Sequence, residues 1–241
     1  MDVYLLPVMP APPDGEPAFE LYCEPPPDPE PEPGAEAKAG FFARMVVRFK
    51  QALAEGEAEQ RREEDGEPEE TPKDFGGRVG RFVKRKLAAA VAEQRVLWHL
   101  RNVSAARLHH PLTVTSPRAV EIATAEFKKD LSKHRLWSII DGVIFIATGL
   151  VAIVPGPNLL AYYFIFRCVG HFFAYRGARK GMEPSLWTGV PSAPLADLQQ
   201  ALSLDAGRRA QKIETIAQSL GLERLSAFMR RVDNRPRPRK T

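Results

Sequence analysis

LWSIIDGVIFIATGLVAIV (136–154), PGPN (155–158) and LLAYYFIFRCVGHFFAY (159–175) make up the apolar block around which the chain is organised. The first limb, Leu136 to Val154, carries one formal charge, Asp141. At about 1.5 Å per residue it covers roughly 28 Å, close to the hydrocarbon thickness of a bilayer. The second limb, Leu159 to Tyr175, is slightly shorter and carries Arg167 and His171. Between them Pro155, Gly156, Pro157 and Asn158 break the helix, because proline lacks a donor and clashes with the preceding turn. The block therefore reads as a helical hairpin in a membrane.

Insertion energies separate the two limbs. The first has eleven Leu, Ile, Val or Phe residues, worth about −3 to −7 kcal/mol against about +2.5 to +3.5 for a central Asp. It inserts alone. The second has eight, worth about −2.5 to −5 kcal/mol against an Arg of similar cost plus His171. It is marginal and enters as the returning limb, polar groups facing the first. Lys128, Lys129, Lys133 and Arg135 precede the hairpin and Arg176, Arg179 and Lys180 follow it. Basic flanks stay on the cytoplasmic or matrix side, so both ends are expected there. Arg135, Trp137, Tyr175 and Arg176 at the basic end, with Tyr162 and Tyr163 near the turn, are the expected interface anchors. The plainer alternative is a hairpin buried in a soluble helical bundle, against which the length of the apolar block argues.

The 241 residues carry a net charge of +4 and are 44% hydrophobic, enough for one modest domain with flanks. Acids gather in the N-terminal third and bases around the hairpin and the C-terminus. Basic segments beside an apolar hairpin point to anionic lipid headgroups before nucleic acid. Cys23 and Cys168 form neither a metal spacing nor a disulfide framework. MDVYLLPV has no basic n-region, and acids across 14–36 argue against a cleaved mitochondrial presequence.

The fold class expected is mainly α: a membrane helical hairpin with flanking amphipathic helices, a small N-terminal β-hairpin and disordered acidic or Pro-rich linkers. Residues 1–24 hold two β-prone stretches, 2–8 and 18–23, in which Pro7 implies an edge role. Residues 25–37 are a Pro- and acid-rich linker. Residues 38–54 form an amphipathic helix with Phe41, Phe42, Met45, Val46, Phe49 and Leu53 on one face, either on a membrane surface or packed on the domain. Residues 55–75 are a charged linker. A helical domain spans 76–181. In it, 78–107 read as one helix whose basic start either lies in solvent or meets an anionic partner, with His109-His110-Pro111 as its end. Ser116-Pro117 opens the next helix, which runs into the first limb. After Gly181 the chain reads as a loop, then three short helices to 232, broken at Gly221. Residues 233–241 are a basic tail.

Several features coincide here: LLPV at 5–8, FELYC at 19–23, HPL at 110–112, His134-Arg135, PGPN at 155–158, then Tyr163, Phe166-Arg167, His171, Ala174 and Gly177. Together they resemble the mitochondrial potassium/proton exchange-related family of inner-membrane proteins, most densely over 110–181. The resemblance implies a role in electroneutral potassium/proton exchange across an energy-transducing membrane, as subunit, assembly factor or carrier component. It implies a mitochondrial inner membrane in a eukaryote or the cytoplasmic membrane of a bacterium. The proline-rich 9–17, the acidic linkers and the helices after 190 depart from it.

Asp141 precedes Pro155 by as many positions as His171 follows Pro157. At about 1.5 Å per residue, both sit roughly 21 Å from the turn, with Arg167 one helical turn from His171 on the same face. Ionisable residues in a membrane pair or line a pathway. Asp141, Arg167 and His171 are thus either an ion or proton pathway or a buried pair that sets hairpin register. Two helices enclose no pore, so a homo-oligomer or other membrane subunits are expected, with potassium and protons as the ions. No Gly-rich phosphate loop, HExxH or GxSxG occurs, so no enzyme activity, cofactor or metal is expected. Rival readings are a membrane-anchored scaffold without transport and a soluble helical nucleic-acid binder, the latter disfavoured.

Overall fold

The computed structural model describes residues 1–9, 17–24, 96–151 and 159–233, with the backbone alone at 148–151, 159–163 and 166. The expected PGPN turn, the amphipathic helix 38–54, both linkers and most of the basic tail lie outside these residues. The described chain is mainly helical with one small sheet, and it divides into two compact units. The first takes Met1–Pro26, His99–Lys129 and Ala178–Thr241; the second takes Pro27–Trp98 and Asp130–Gly177.

The first unit is built on a four-stranded sheet of β1 (Asp2–Pro7), β2 (Phe19–Tyr22), β3 (Ala106–Pro111) and β4 (Trp187–Ser192), in the order β2-β1-β3-β4. β1 pairs antiparallel with β2, Tyr4 opposite Tyr22 and Pro7 opposite Phe19. It pairs parallel with β3 through Asp2, Val3 and Tyr4 only. β1 is therefore internal, correcting the edge role inferred from Pro7. Pro7 lies beyond the last residue paired with β3, so its missing N–H leaves no gap in that ladder.

β3 corrects a second expectation, the helix over 78–107. Residues 96–100 are helical, but Asn102 N–H and Val103 N–H donate back only three residues, to His99 and Leu100, tightening and ending the turn. From Ala106 the period is two: Ala106, Leu108 and His110 are buried while Arg107 is exposed. His109 and His110 are strand residues, not a helix end. β4 corrects a third, since 187–192 read as loop. It pairs parallel with β3 from Trp187 opposite Ala106 to Ser192 opposite Pro111. Pro191 is tolerated because β4 is an edge strand. Gly189 is required there: a Cβ would lie 2.5 Å from Ser116 Cβ.

Three helices, α3 (Ala193–Ala201), α4 (Ala206–Leu220) and α5 (Leu225–Asp233), close the unit. Leu195, Leu198, Leu202, Ile213, Ile216, Leu225 and Met229 pack with Leu6 and Tyr22 into one buried cluster. Asp205 caps α4, accepting from Arg208 N–H at 3.1 Å, and Gly221 ends it at φ 65°, the left-handed region. The Glu24 carboxylate accepts the backbone N–H groups of Glu223 and Arg224, each at 2.8 Å, tying the N-terminal hairpin to the start of α5.

Two longer helices run between β3 and β4 in the chain: α1 (Ser116–Val151) and α2 (Leu159–Gly181). Within the first unit Ser116 opens α1, and its hydroxyl donates to His110 Nε2 at 2.9 Å while His110 Nδ1 faces Pro111 O at 3.1 Å. No helix among the described residues is long and apolar enough to cross a membrane. The expected first limb runs to Val154, and residues 152–154 lie outside the described residues. At its other end α1 begins at Ser116, well before the apolar stretch, with Lys128, Lys129, Lys133 and Arg135 in between.

Asp2 joins the strands electrostatically. Its carboxylate accepts from His109 Nε2 at 2.7 Å and Arg107 Nη2 at 2.8 Å, and Tyr4 stacks on His109 at 4.7 Å between ring centroids. Partial burial raises the Asp2 pKa, but the bonds from His109 and Arg107 outweigh it and hold it below the usual 3.8. A lowered carboxylate contributes stability above the unfolded value and loses it as pH falls through the folded one. Asp2→Asn is expected to lower the thermal midpoint at pH 7. The gap to wild type should close below about pH 3.8. A gap that does not change with pH in parallel melts would show that Asp2 contributes no ion pair.

Candidate functional site

In the second unit α1 and α2 run antiparallel, and three contacts fix their register. His134 meets His171, Ser138 meets Cys168, and Asp141 meets Arg167. The helices approach closely where Gly142 faces Cys168: a Cβ there would lie 3.6 Å from Sγ. The Cys168 thiol donates to Ser138 O at 3.4 Å. On another face of α2, Gly170 and Gly177 sit against the 96–98 segment. Trp98 meets Phe173 edge-on at 5.3 Å, and a Cβ on Gly177 would fall 1.6 Å from Leu97 O. Small residues at these positions let the backbones meet.

Asp141 lies at the centre. It is 1% exposed. Its Oδ2 is 3.3 Å from Arg167 Nε and 3.6 Å from His171 Nε2. These are ion-pair distances, yet neither carboxylate oxygen has a hydrogen bond of good geometry among the described residues. The charge is compensated by attraction, and the lone pairs stay under-used. Arg167 lies over the Trp137 ring, Cζ 5.5 Å from the centroid, a cation–π contact that holds the guanidinium beside the carboxylate.

His134 extends the cluster and was not among the site residues expected from sequence. Its ring is 1% exposed, and its Nδ1 lies 2.9 Å from His171 Nδ1. Burial first, then the fields of His171 and Lys133, push its pKa down to about 4, so it is neutral near pH 7. The signal for it was spacing: His134 is two helical turns before Asp141 along one face.

The opposite face of α1 is apolar and open. Leu136, Ile139, Val143 and Ile146 recur at helical spacing, with Ile139 61% and Ile146 62% exposed. Phe172 of α2 is exposed as well. Of the expected interface anchors, Arg135, Trp137 and Arg176 are exposed and Tyr175 is half-buried. The side chains of Tyr162 and Tyr163 and the turn Pro155 to Asn158 lie outside the described residues. The described residues contain no group of three His, Cys, Asp or Glu placed to hold a metal.

The described part of the second unit is thus mainly a helical hairpin with a buried acid–base cluster inside and an apolar outer face. Residues 73–182 match the sequence model of the family described as mitochondrial K+-H+ exchange-related, the family that the sequence resembles. The match contains the whole cluster, His134 included. No curated protein and no solved structure matches the chain.

Removing Arg167 strands a buried charge. Arg167→Leu is expected to cost about 3 kcal/mol of stability, and Asp141→Leu with Arg167→Leu to recover most of it, because an apolar pair leaves no charge uncompensated. A double-mutant cycle by denaturant unfolding checks this; additive single effects would show that the pair is not coupled.

Proposed function

We propose that residues 136–175 are a membrane-embedded hairpin serving potassium/proton exchange, with Asp141, Arg167 and His171 as its intramembrane acid–base cluster. The observation that carries the reading is the reversed polarity of the hairpin. Ile139 is 61% and Ile146 62% exposed, while Asp141, on the opposite face of the same helix, is 1% exposed. A helix in water turns such residues the other way. In lipid, apolar side chains face out and ionisable ones face the bundle. The described part of α1 falls short of a full span; the reading extends the limb through the apolar residues to Val154.

The family description supports the ion pair exchanged, and its name supports a mitochondrial setting, with the inner membrane as the site proposed. The basic flanks put both ends of the hairpin on the matrix side in this reading, where Lys133, Arg135 and Arg176 meet anionic headgroups. Two helices enclose no path across a bilayer, so the hairpin acts with further copies or with other membrane subunits. A scaffold anchored by the same apolar face is the rival, supported by the register that the Asp141–Arg167 pair sets.

Alkaline carbonate extraction of membranes, followed by potassium-driven proton flux in vesicles holding the full chain, tests the proposal. The expected result is retention in the membrane pellet, flux in wild type, and loss of most flux in Asp141→Asn with retention unchanged. Release of the wild-type chain by carbonate would refute the embedded hairpin. Retention without flux would leave only an anchor, and full flux in Asp141→Asn would remove the acid–base cluster from the exchange.

A further inference from the structure

We infer that His134 is the first carrier of a three-residue relay, His134 to His171 to Asp141, that loads the buried carboxylate from the basic end of the hairpin. The inference rests on reading the cluster as proton-handling. It assigns a role to a residue outside the Asp141, Arg167 and His171 set.

The hydrogen bonding fixes where the protons sit. Two Nδ1 atoms 2.9 Å apart need one proton between them, so one ring donates and the other accepts. His171 Nε2 faces Asp141 Oδ2 at 3.6 Å. If His171 donated from Nδ1, its bare Nε2 would meet the carboxylate lone pairs. The favoured arrangement has His134 Nδ1–H donating to His171 Nδ1 and His171 Nε2–H directed at Asp141. Every link then points toward the acid, which has two oxygens without a hydrogen bond of good geometry among the described residues. The charged and titratable groups around the pair are Lys133 and Asp141 from α1, and Arg167 and Cys168 from α2. The Cys168 thiol is turned to Ser138 O, which leaves the histidines as the proton carriers.

The transfer balances without any co-reactant. A proton binds His134 Nε2 from the basic side. The His134 Nδ1–H bond breaks as His171 Nδ1–H forms; once His171 Nε2 closes from 3.6 Å to hydrogen-bond distance, the His171 Nε2–H bond breaks as Asp141 Oδ2–H forms. One proton has moved inward, both rings are again neutral with exchanged tautomers, and Asp141 no longer carries the charge that pairs with Arg167. Passage in reverse, or rotation of both rings, restores the start. His134 and Asp141 are two helical turns apart, so the relay spans about 10 Å along α1.

The test is a pH jump on the full chain, followed by infrared absorption of the protonated Asp141 carboxyl, its band assigned by its loss in Asp141→Asn. His134→Asn keeps a donor at the Nδ1 position but cannot take up and pass a proton. It is expected to slow the rise of the band about a hundredfold, the lower range of what a positioned proton carrier contributes. His134→Ala with added imidazole is expected to recover much of the rate, which a merely structural histidine would not allow. Equal rates in wild type and His134→Asn, or a wild type in which the Asp141 band never rises, would overturn the relay. The measurement runs equally in vesicles and in buffer. A relay that survives while the vesicles show no potassium-driven flux would sink the exchange reading alone.

Discussion

A carboxylate held away from water is the constraint to which the hairpin answers. Asp141 keeps 1% of its surface and has no hydrogen bond of good geometry among the described residues, so its charge is balanced by Arg167 at 3.3 Å and His171 at 3.6 Å. Both partners come from α2, which ties the register of the two helices to the survival of that charge. Sliding α2 by one residue would rotate its face by about 100° and carry Arg167 and His171 away together. The close approach of Gly142 to Cys168, and the His134–His171 bond, are satisfied only in the same register. Turning the polar face inward also turns Leu136, Ile139, Val143 and Ile146 outward. The exposed apolar stripe and the buried acid are two consequences of one rotational setting of α1.

The sheet unit meets a different demand. β3 and β4 are parallel neighbours, and parallel strands need a long crossover. Here the crossover runs from position 112 to position 186, and it holds both helices of the hairpin. The sheet is tied at several points: Asp2 of β1 pairs with Arg107 and His109 of β3, Glu24 reaches the start of α5, and the Trp187 indole N–H donates to Gly181 O at 2.9 Å with Phe127 stacked on its ring at 5.7 Å. The chain leaves the sheet at Pro111 and returns to it at Trp187, so the hairpin is an insertion between two adjacent strands.

What could be read in advance followed local rules. Counting outward from Pro155 and Pro157 puts Asp141 and His171 at one depth, and they lie 3.6 Å apart. Gly221 breaks the C-terminal helices because a left-handed residue is needed there, and its φ is 65°. β3 and β4 escaped because their partners are remote in sequence. WTGVPS has both a glycine and a proline, and only pairing with β3 makes it a strand. Pro7 misled for the same reason, since its tolerance depends on where the β3 ladder stops. His134 was hidden in the run Lys133-His134-Arg135, which reads as a basic flank. Its burial follows from the helical face it shares with Asp141, not from its neighbours in sequence.

The extent of the cluster bears on what one copy can do. Between Asp141 and Arg167 the sequence has no Asp, Glu, Lys, Arg or His; Tyr162 and Tyr163 are the only residues there with an ionisable side chain, Cys being absent. By the same rise per residue, roughly 21 Å of hairpin lies between Asp141 and the turn, so in the proposed relay protons delivered to Asp141 from the basic side would stop partway. A second carrier must receive them, and nothing ionisable on the described faces of α1 and α2 beyond Asp141 offers itself. The apolar outer face, with Val143 and Ile146 lying beyond Asp141 toward the turn, is where a second copy or another subunit would seat against this stretch. In the proposed reading, a half-length relay and an apolar face left open by the described residues lead to one requirement: exchange across a full membrane would need an assembly, with this hairpin supplying the acid and the first proton steps.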